Sequence, residues 1–434
     1  FTIQLNAVSG LASTVDYSAT GGTAVGGGVD YTLADGSVTI AANLDPPQAT
    51  FDLTIVDDIL DEVDETVIIT LSSPTNSTLG TTQLTYTIND DDAQPSIAFT
   101  SDNFAASEAT TNGQFSLALS GASGKEITYG YTINAVTTTA SDDGVDYTLT
   151  AGTNTISAGT AVSTIDFTVN DDALDEIDEV LVVTLNTDAF VNVATTGSPL
   201  EATYTIQDDD NPPNIQFTNA TGTMAEVDGT ANVEVSIASV SGKDVSVTIS
   251  DNLTGSATAN SDYTVNGAAY TITAGQTTVN VPVNIPGDEA TEEEGDETVV
   301  LGLSGAANST IVGNSTHTLT ITDSDPVPTV VLTNATATIG ENVGNYTINY
   351  NLDYRSHQDI TFDYAIANTS TAEGDGTDFT LANGTATITA GNTTGTLTLA
   401  VNNDNLFEDN ETVVINISNP TNASIGATET MTIT

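Results

Sequence analysis

At 434 residues the chain is too long for one hydrophobic core and calls for three or four domains of roughly 110 to 150 residues each. Against 59 Asp and Glu stand three basic residues, Lys125, Lys243 and Arg355; the formal net charge of -56 excludes nucleic acid and anionic membranes, which are bound through a basic face. The absence of Cys removes disulfides, thiolate nucleophiles, iron-sulfur clusters and sulfur-bound zinc, and two His leave little for transition metals.

In chain order, the first element is Phe1-Thr2-Ile3-Gln4-Leu5, whose apolar and polar alternation reads as a strand. It aligns with Phe115-Ser116-Leu117-Ala118-Leu119, so the stretch from Pro95 to Gln114 has no earlier counterpart. Next comes Asp30-Tyr31, a marker repeated as Asp146-Tyr147, Asp262-Tyr263 and Asp378-Phe379, each 116 residues after the last. A fixed period of this kind marks a tandem array. An alternating strand follows each marker: Phe51, Leu53 and Ile55; Ile165, Phe167 and Val169; Val279, Val281 and Val283; Leu397, Leu399 and Val401. Each is expected to have one buried and one wet face. Pro282, inside the third of these, predicts an edge strand. The acidic turn Asp57-Asp58-Ile59-Leu60-Asp61-Glu62-Val63-Asp64-Glu65 leads into the apolar run Val67 to Leu71, and the pattern recurs from Asp171 to Glu179. A last strand carries Tyr86 and Ile88, Tyr204 and Ile206, Leu319 and Ile321, or Met431 and Ile433. In the first three copies it precedes Asp90-Asp91-Asp92, Asp208-Asp209-Asp210 or Asp323-Ser324-Asp325, and prolines follow. Proline fixes φ and lacks a donor, so these points read as short, stiff junctions.

The chain is predicted to be all-β: four tandem antiparallel β-sandwiches, each of about seven strands, strung over residues 1–93, 94–211, 212–326 and 327–434. The first copy lacks its opening strand and the fourth its closing Asp triplet. Either the strand lies in sequence outside these residues, or a neighbouring molecule donates it and the chain is a head-to-tail homopolymer. No apolar run reaches the length of a membrane span, so no membrane insertion is expected, and the chain reads as soluble with any export signal already absent.

Three phrases recur in fixed order: Gly22-Thr23-Ala24 before Gly28-Val29-Asp30-Tyr31, the Asp-Asp-x-x-x-Glu-x-x-Glu turn, and the closing Ile-x-Asp-Asp-Asp. In these residues the chain resembles the Calx-beta domain, found in sodium-calcium exchangers and in extracellular adhesion and matrix proteins. The resemblance covers all four copies and implies an immunoglobulin-like sandwich that binds Ca²⁺ at the loops of one end. Carried over residue by residue, it implies a complete ligand set in the second copy: Glu108, Asp146, Asp171, Asp172, Glu176, Asp208, Asp209 and Asp210. The first copy has Asp30, Asp57, Asp58, Glu62, Asp90, Asp91 and Asp92 but no early Glu. The third keeps Glu226, Asp262, Asp288, Glu292 (or Glu293), Asp323 and Asp325, with Gly287 in place of one paired Asp and two extra residues in the turn. The fourth keeps Glu341, Asp378, Asp404 and Glu408, while Asn403 replaces an Asp, which argues against binding there.

Elementary electrostatics points the same way. Ca²⁺ takes six to eight oxygen ligands, and bunched carboxylates otherwise repel by about 1 kcal/mol per close pair even in water. The bland alternative is a solvated acidic face. An EF-hand fails on spacing, because Asp57 to Glu65 has no Gly at the sixth position. Asn-x-Ser/Thr sequons mark Asn76, Asn219, Asn252, Asn308, Asn314, Asn334, Asn345, Asn368, Asn383, Asn392, Asn410, Asn416 and Asn422 as glycan acceptors in an extracellular chain. His317 is expected to face solvent and His357 to sit in a hairpin turn, neither with a Ser-His-Asp arrangement, so no enzymatic activity is expected. Lys125-Glu126 and Lys243-Asp244 read as ordinary surface pairs in equivalent turns. The expectation is a structural subunit of an extracellular or cell-surface filament or stalk, stiffened by Ca²⁺ at its domain junctions and partnered by itself. The alternative is a Ca²⁺-dependent adhesin for surface glycans or proteins, disfavoured by the absence of Trp.

Overall fold

A computed structural model describes residues 1–142, 144–227, 229–286 and 292–434, with Glu292 described by its backbone alone. Among the described residues every regular element is a strand except one 3-10 turn at Glu341–Val343. The chain divides into two units, Phe1–Asp210 and Asn211–Thr434.

The second domain displays the plan in full. One sheet has the order Asn103–Ser107, Glu201–Gln207, Glu179–Val191, Ile127–Ile133, Gly152–Ile156; the other runs Tyr147–Thr148, Val162–Val169, Asn112–Leu119, Ile97–Phe99. These segments are rich in Val, Ile, Thr and Tyr, whose branched or flat side chains fit a pleated, half-buried surface. The period of two then sorts them: Phe115, Leu117 and Leu119 point inward, as do Ile165, Phe167 and Val169. Between the sheets Phe115 is fully buried, with ring centroids of Phe99, Phe104, Phe167 and Tyr204 at 5.7, 5.4, 5.5 and 5.9 Å. Phe115→Ala would open a cavity at this four-ring contact and is expected to cost the second domain about 3 to 5 kcal/mol, read as a lower urea midpoint with an unchanged slope.

One pairing matters for everything that follows. Asn103–Ser107 lies parallel to Glu201–Gln207, in the register Ser107 to Gln207, within sheets whose other pairings are antiparallel. The third and fourth domains repeat it, with Thr221–Ala225 parallel to Thr316–Thr322 and Thr336–Ala337 parallel to Thr430–Ile433. The first domain has a four-stranded sheet, Gly36–Ile40, Ser13–Gly22, Glu65–Thr75, Gln83–Ile88, faced by two short pairs, Thr2–Gln4 with Gln48–Thr50 and Tyr31–Thr32 with Thr54–Ile55.

Two local expectations, on Pro282 and His317, are corrected here. Pro282 does not lie in an edge strand: Thr278–Ile285 sits between Gly229–Ile237 and Thr264–Val265. The latter is only two residues long and reaches Val283 and Asn284, so the flank at Pro282 remains open and its missing donor is tolerated. His317 is buried, its Nδ1 2.7 Å from the Asn219 carbonyl and its ring 5.6 Å from Phe217. The physical reason is parity: positions 317, 319 and 321 share one strand face, and Leu319 and Ile321 are core. The sequons at Asn76, Asn308 and Asn422 occupy one recurring turn, at φ of 53°, 54° and 58°, where the side-chain nitrogen donates to the carbonyl of Ala12, Asp244 or Asp359. Asn192 holds the same place at φ 57°, donating to Glu126, and has no Ser or Thr two residues on. Asn is required there because it tolerates the left-handed conformation and closes the turn, whether or not it carries a sugar.

Candidate metal centre

The parallel pairing carries an early Glu to the Asp triplet. With Ser107 opposite Gln207, the next residues of both strands, Glu108 and Asp208, leave the sheet side by side, and the Glu108 amide donates to the Gln207 carbonyl at 3.0 Å. The third domain does the same, Ala225 opposite Thr322 and the Glu226 amide 2.9 Å from the Thr322 carbonyl. In the second sheet Tyr147 faces Val169, so Asp146 meets the start of the acidic turn, and the Asn170 amide donates to the Asp146 carbonyl at 2.9 Å. Three separate segments thus converge at one end of the sandwich.

Local hydrogen bonds orient the carboxylates. The Asp of each Asp-Tyr or Asp-Phe marker accepts an upstream backbone amide: Val25 to Asp30 at 2.5 Å, Ser141 to Asp146, Thr258 to Asp262 at 2.5 Å and Glu373 to Asp378 at 2.5 Å. Asp58, Asp172 and Asp404 each accept the amide two residues on at 2.7 Å, an Asx turn that bends the acidic loop. Asp64, Asp178 and Asp296 accept the amides of Asp90, Asp208 and Asp323 at 3.1, 3.3 and 3.2 Å, which ties the acidic turn to the first triplet residue.

In the second domain oxygens of Glu108, Asp171 and Asp209, and of Glu108, Asp172 and Asp210, lie within 4.8 Å of one another. Two oxygens on opposite sides of a Ca²⁺ ion, each at about 2.4 Å, would be just that far apart. Glu108 is 8 % exposed, and its Oε1, like Asp210 Oδ2, is buried without a hydrogen-bond partner. An orphaned, buried carboxylate oxygen is costly, and a hard cation removes that cost. The donor set, all oxygen and densely anionic, suits Ca²⁺ and not a softer metal.

Burial, then the charges of Asp172, Asp208, Asp210 and Asp209, pushes Glu108 up to about 7. Burial is also the first cause for Glu179, pushed up to about 8, followed by a hydrogen bond to Asp146 and the charges of Asp146, Glu176 and Glu108. Asp210 and Asp92 are raised by desolvation and by their neighbours in the triplets and paired Asp. Without a cation Glu108 and Glu179 keep their protons up to near neutral pH, which softens the repulsion.

The sequence-derived sets are only partly gathered. In the first domain Asp30 and Glu62 come together with Glu65; Asp58, Asp90 and Asp92 act on Glu62 through their charge, and Asp57 and Asp91 act on Asp92. In the third, the trio is Asp262, Glu294 and Glu297; Asp323 accepts from the Gly295 amide at 3.4 Å and from the Asp325 amide at 2.9 Å. Glu294 therefore takes the place assigned to Glu292, and Asp288 lies outside the described residues. The reason is register: counting back three from Glu297, as Glu62 stands to Glu65 and Glu176 to Glu179, arrives at Glu294. Sequence reasoning missed Glu65 and Glu297, which join the three-residue clusters, and their counterparts Glu179 and Glu411; each of the four is hydrogen-bonded to the marker Asp of its domain. The signal was available as the second Glu of the turn motif. In the fourth domain Glu341, Asp378 and Asp404 raise Glu408 by charge, after desolvation, but form no trio within 4.8 Å among the described residues.

The residue before the cluster's Glu makes a different contact. Asp61 bridges to Ser123 of the next domain, the Gly124 amide donates to the Asp61 carbonyl at 2.9 Å, and Ser123 Oγ donates to Asp61 Oδ2 at 3.2 Å. Lys125 Nζ sits 2.6 Å from Asp61 Oδ1 and 3.4 Å from Asp90 Oδ2, so this lysine is a junction pin and not half of a surface pair. In the second unit Glu292–Glu293 pairs parallel with Arg355–Ser356, Ser356 Oγ donates to Glu293 at 2.7 Å, and His357 Nδ1 lies 3.1 Å from Glu294. His357 thus belongs to a domain junction.

A β-sandwich with a carboxylate cage at one end, joined to its neighbour through the same loop, defines a class of metal-binding module. The Calx-beta domain model matches residues 1–92, 90–210, 208–325 and 323–434, and the chain belongs to that family, whose domains bind calcium. Among solved structures the chain is similar to CBD12 from CALX1.2, at 19% identity over 50% of this chain and 82% of that one, with a TM-score of 0.26. It is also similar to the calcium binding domain CBD12 of CALX1.1, at 16% identity over 51% and 98%, TM-score 0.26. A further likeness is to a carbohydrate binding protein, so titled provisionally, from Bacteroides ovatus, at 13% identity over 47% and 64%, TM-score 0.26. No curated protein matches the chain. No described helix is long and apolar enough to cross a membrane.

Proposed function

We propose that the chain is a structural element of an extracellular filament or stalk, in which calcium held at the end of the first and third sandwiches stiffens the joint to the next. The supporting observation is adjacency. Glu62, in the cluster with Asp30 and Glu65, directly follows Asp61, which carries Ser123, Gly124 and Lys125 of the second domain; Glu294 likewise follows Glu293, which carries Ser356. An ion that pulls the acidic turn into one arrangement also fixes the platform on which the neighbour is docked, because one residue separates the two contacts.

In this reading Glu108, Asp171, Asp172, Asp209 and Asp210 hold the ion in the second domain, and Asp30, Glu62 and Glu65 contribute in the first. Bound calcium supplies charge neutralisation and nothing catalytic. Small-angle scattering of the whole chain should show a larger maximum dimension and a narrower spread of conformations with calcium than with chelator. Identical profiles in the two conditions would remove the mechanical role while leaving metal binding itself intact.

A further inference from the structure

The third domain buries a titratable group for which the metal site has no use. His317 is 5 % exposed and stands on the inward face of Thr316–Thr322, in line with Leu319 and Ile321. An exchange of volume explains its place. In the second domain Phe104, on the parallel strand, lies opposite Tyr204, and the small Ala202 stands two residues before that tyrosine. In the third domain Gly222 lies opposite Leu319, and His317 stands two residues before that leucine. The large ring has moved from the edge strand to its neighbour. A Cβ added to Gly222 would come within 3.1 Å of His317 Nε2, so the glycine makes room for the imidazole.

We propose that His317 is an acid-labile latch on the edge strand Thr221–Ala225. A carbonyl can only accept, so Nδ1 carries the ring proton and donates to Asn219 at 2.7 Å, two residues before that strand. The Thr318 amide closes the same corner on the Ala220 carbonyl at 2.9 Å. Nε2 is left as a bare acceptor, buried without a hydrogen-bond partner. Histidine takes up its second proton between about pH 5 and 8, and here that proton buries a charge and an N–H with nothing to receive it. The surrounding elements offer no relief. Thr221–Ala225 and Asn214–Phe217 contain no ionisable side chain, and Glu234 alternates with buried Val233 and Val235, so it points out of the core. Glu297 lies four positions from Leu301, the residue opposite His317, and Glu226 and Asp323 lie beyond the far ends of the two strands. The strand that gives way is the one at the sheet edge, whose ladder among the described residues is made to Thr316–Thr322 alone. Glu226 follows it directly, so an open latch also withdraws that carboxylate from the cage. This last consequence rests on the metal-binding reading; the latch itself does not.

The test is hydrogen exchange of the whole chain in chelator at pH 7.5 and pH 5.0, with rates corrected for the intrinsic effect of pH. Matched amides report it: Thr318 to Ala220 and Glu226 to Thr322 in the third domain, Thr203 to Asp102 and Glu108 to Gln207 in the second. Protection of the third-domain pair is expected to fall at least about tenfold on acidification, since one suppressed protonation changes an opening equilibrium by up to about tenfold per pH unit. The second-domain pair should lose none. Gly222→Phe with His317→Ala transplants the second domain's Phe104 and Ala202 and removes the imidazole, so its Thr318 and Glu226 amides should then lose none either. Equal protection of Thr318 at both pH values in the parent would overturn the proposal, as would an acid loss undiminished in the double variant. Loss confined to Glu226 would also overturn it, because the response would then belong to the carboxylate cage. Should the double variant not fold, the comparison of the two domains in the parent decides alone.

Discussion

Calcium added to metal-free protein at pH 7 is expected to release protons and to raise the melting temperature of the second domain. Glu108 at about 7 and Glu179 at about 8 both stand above the ordinary 4.5, so the folded domain carries protons that the unfolded chain has already given up. The sign follows. Metal-free stability is greatest below pH 4.5 and falls as pH rises through 7 and 8, because each carboxylate formed adds to an uncompensated anionic cage. Ligation requires those carboxylates, so apparent affinity should rise about tenfold per pH unit for each proton displaced and level off above pH 8. At a thousandfold excess over Kd, calcium should add about 4 kcal/mol of stability. Calorimetry in two buffers of different ionisation enthalpy measures the protons released, and Glu108→Gln should lower that number by about half a proton at pH 7. A heat that is the same in both buffers, with no change in melting, would sink the metal assignment of the second domain.

Lys125→Met is expected to loosen the joint between the first and second domains by about 3 kcal/mol. The lysine is 19 % exposed and the Asp61 side chain only 3 %, so removing the ammonium leaves a carboxylate buried with Ser123 as its remaining partner. Hydrogen exchange localises the effect: the Gly124 amide, bonded to the Asp61 carbonyl, should lose protection, while amides of the Phe115 core keep theirs. Adding Asp61→Asn should restore most of the loss, because the stranded charge disappears with its partner. If the single variant exchanges like the parent, water reaches Asp61 and the pin contributes nothing. All three basic residues of a chain at -56 fall in the same internal turn of the second, third and fourth domains, after the strands Asn112–Leu119, Gly229–Ile237 and Asn345–Leu352: Lys125, Lys243 and Arg355.

Much of this was legible in the residues. The 116-residue period and the alternating strands gave four all-β modules, since burial on one face of a pleat imposes a period of two that the order of residues displays. The Asp-Tyr marker, the acidic turn and the Asp triplet were readable as one ligand set only through resemblance, because nothing in their spacing says that three loops meet. Glu65, Glu179, Glu297 and Glu411 were passed over although they stand in the same motif; each opens an apolar run and so looks like the first residue of a strand. His317 stands between Thr316 and Thr318, which look like a wet face, yet it shares the parity of Leu319 and Ile321 and is buried with them.

By itself the sequence determined the repeat, the strands and which loops are acidic, because these depend on local pattern and on unpaired charge. Only the tertiary structure decided that a parallel strand carries Glu108 to Asp208, that Glu294 joins Asp262 and Glu297, and that Lys125 reaches back to Asp61. Those facts depend on strand register and on contacts between residues up to a hundred positions apart, and a one-residue slip in a sheet reverses every side chain without altering the pattern from which the strand was read.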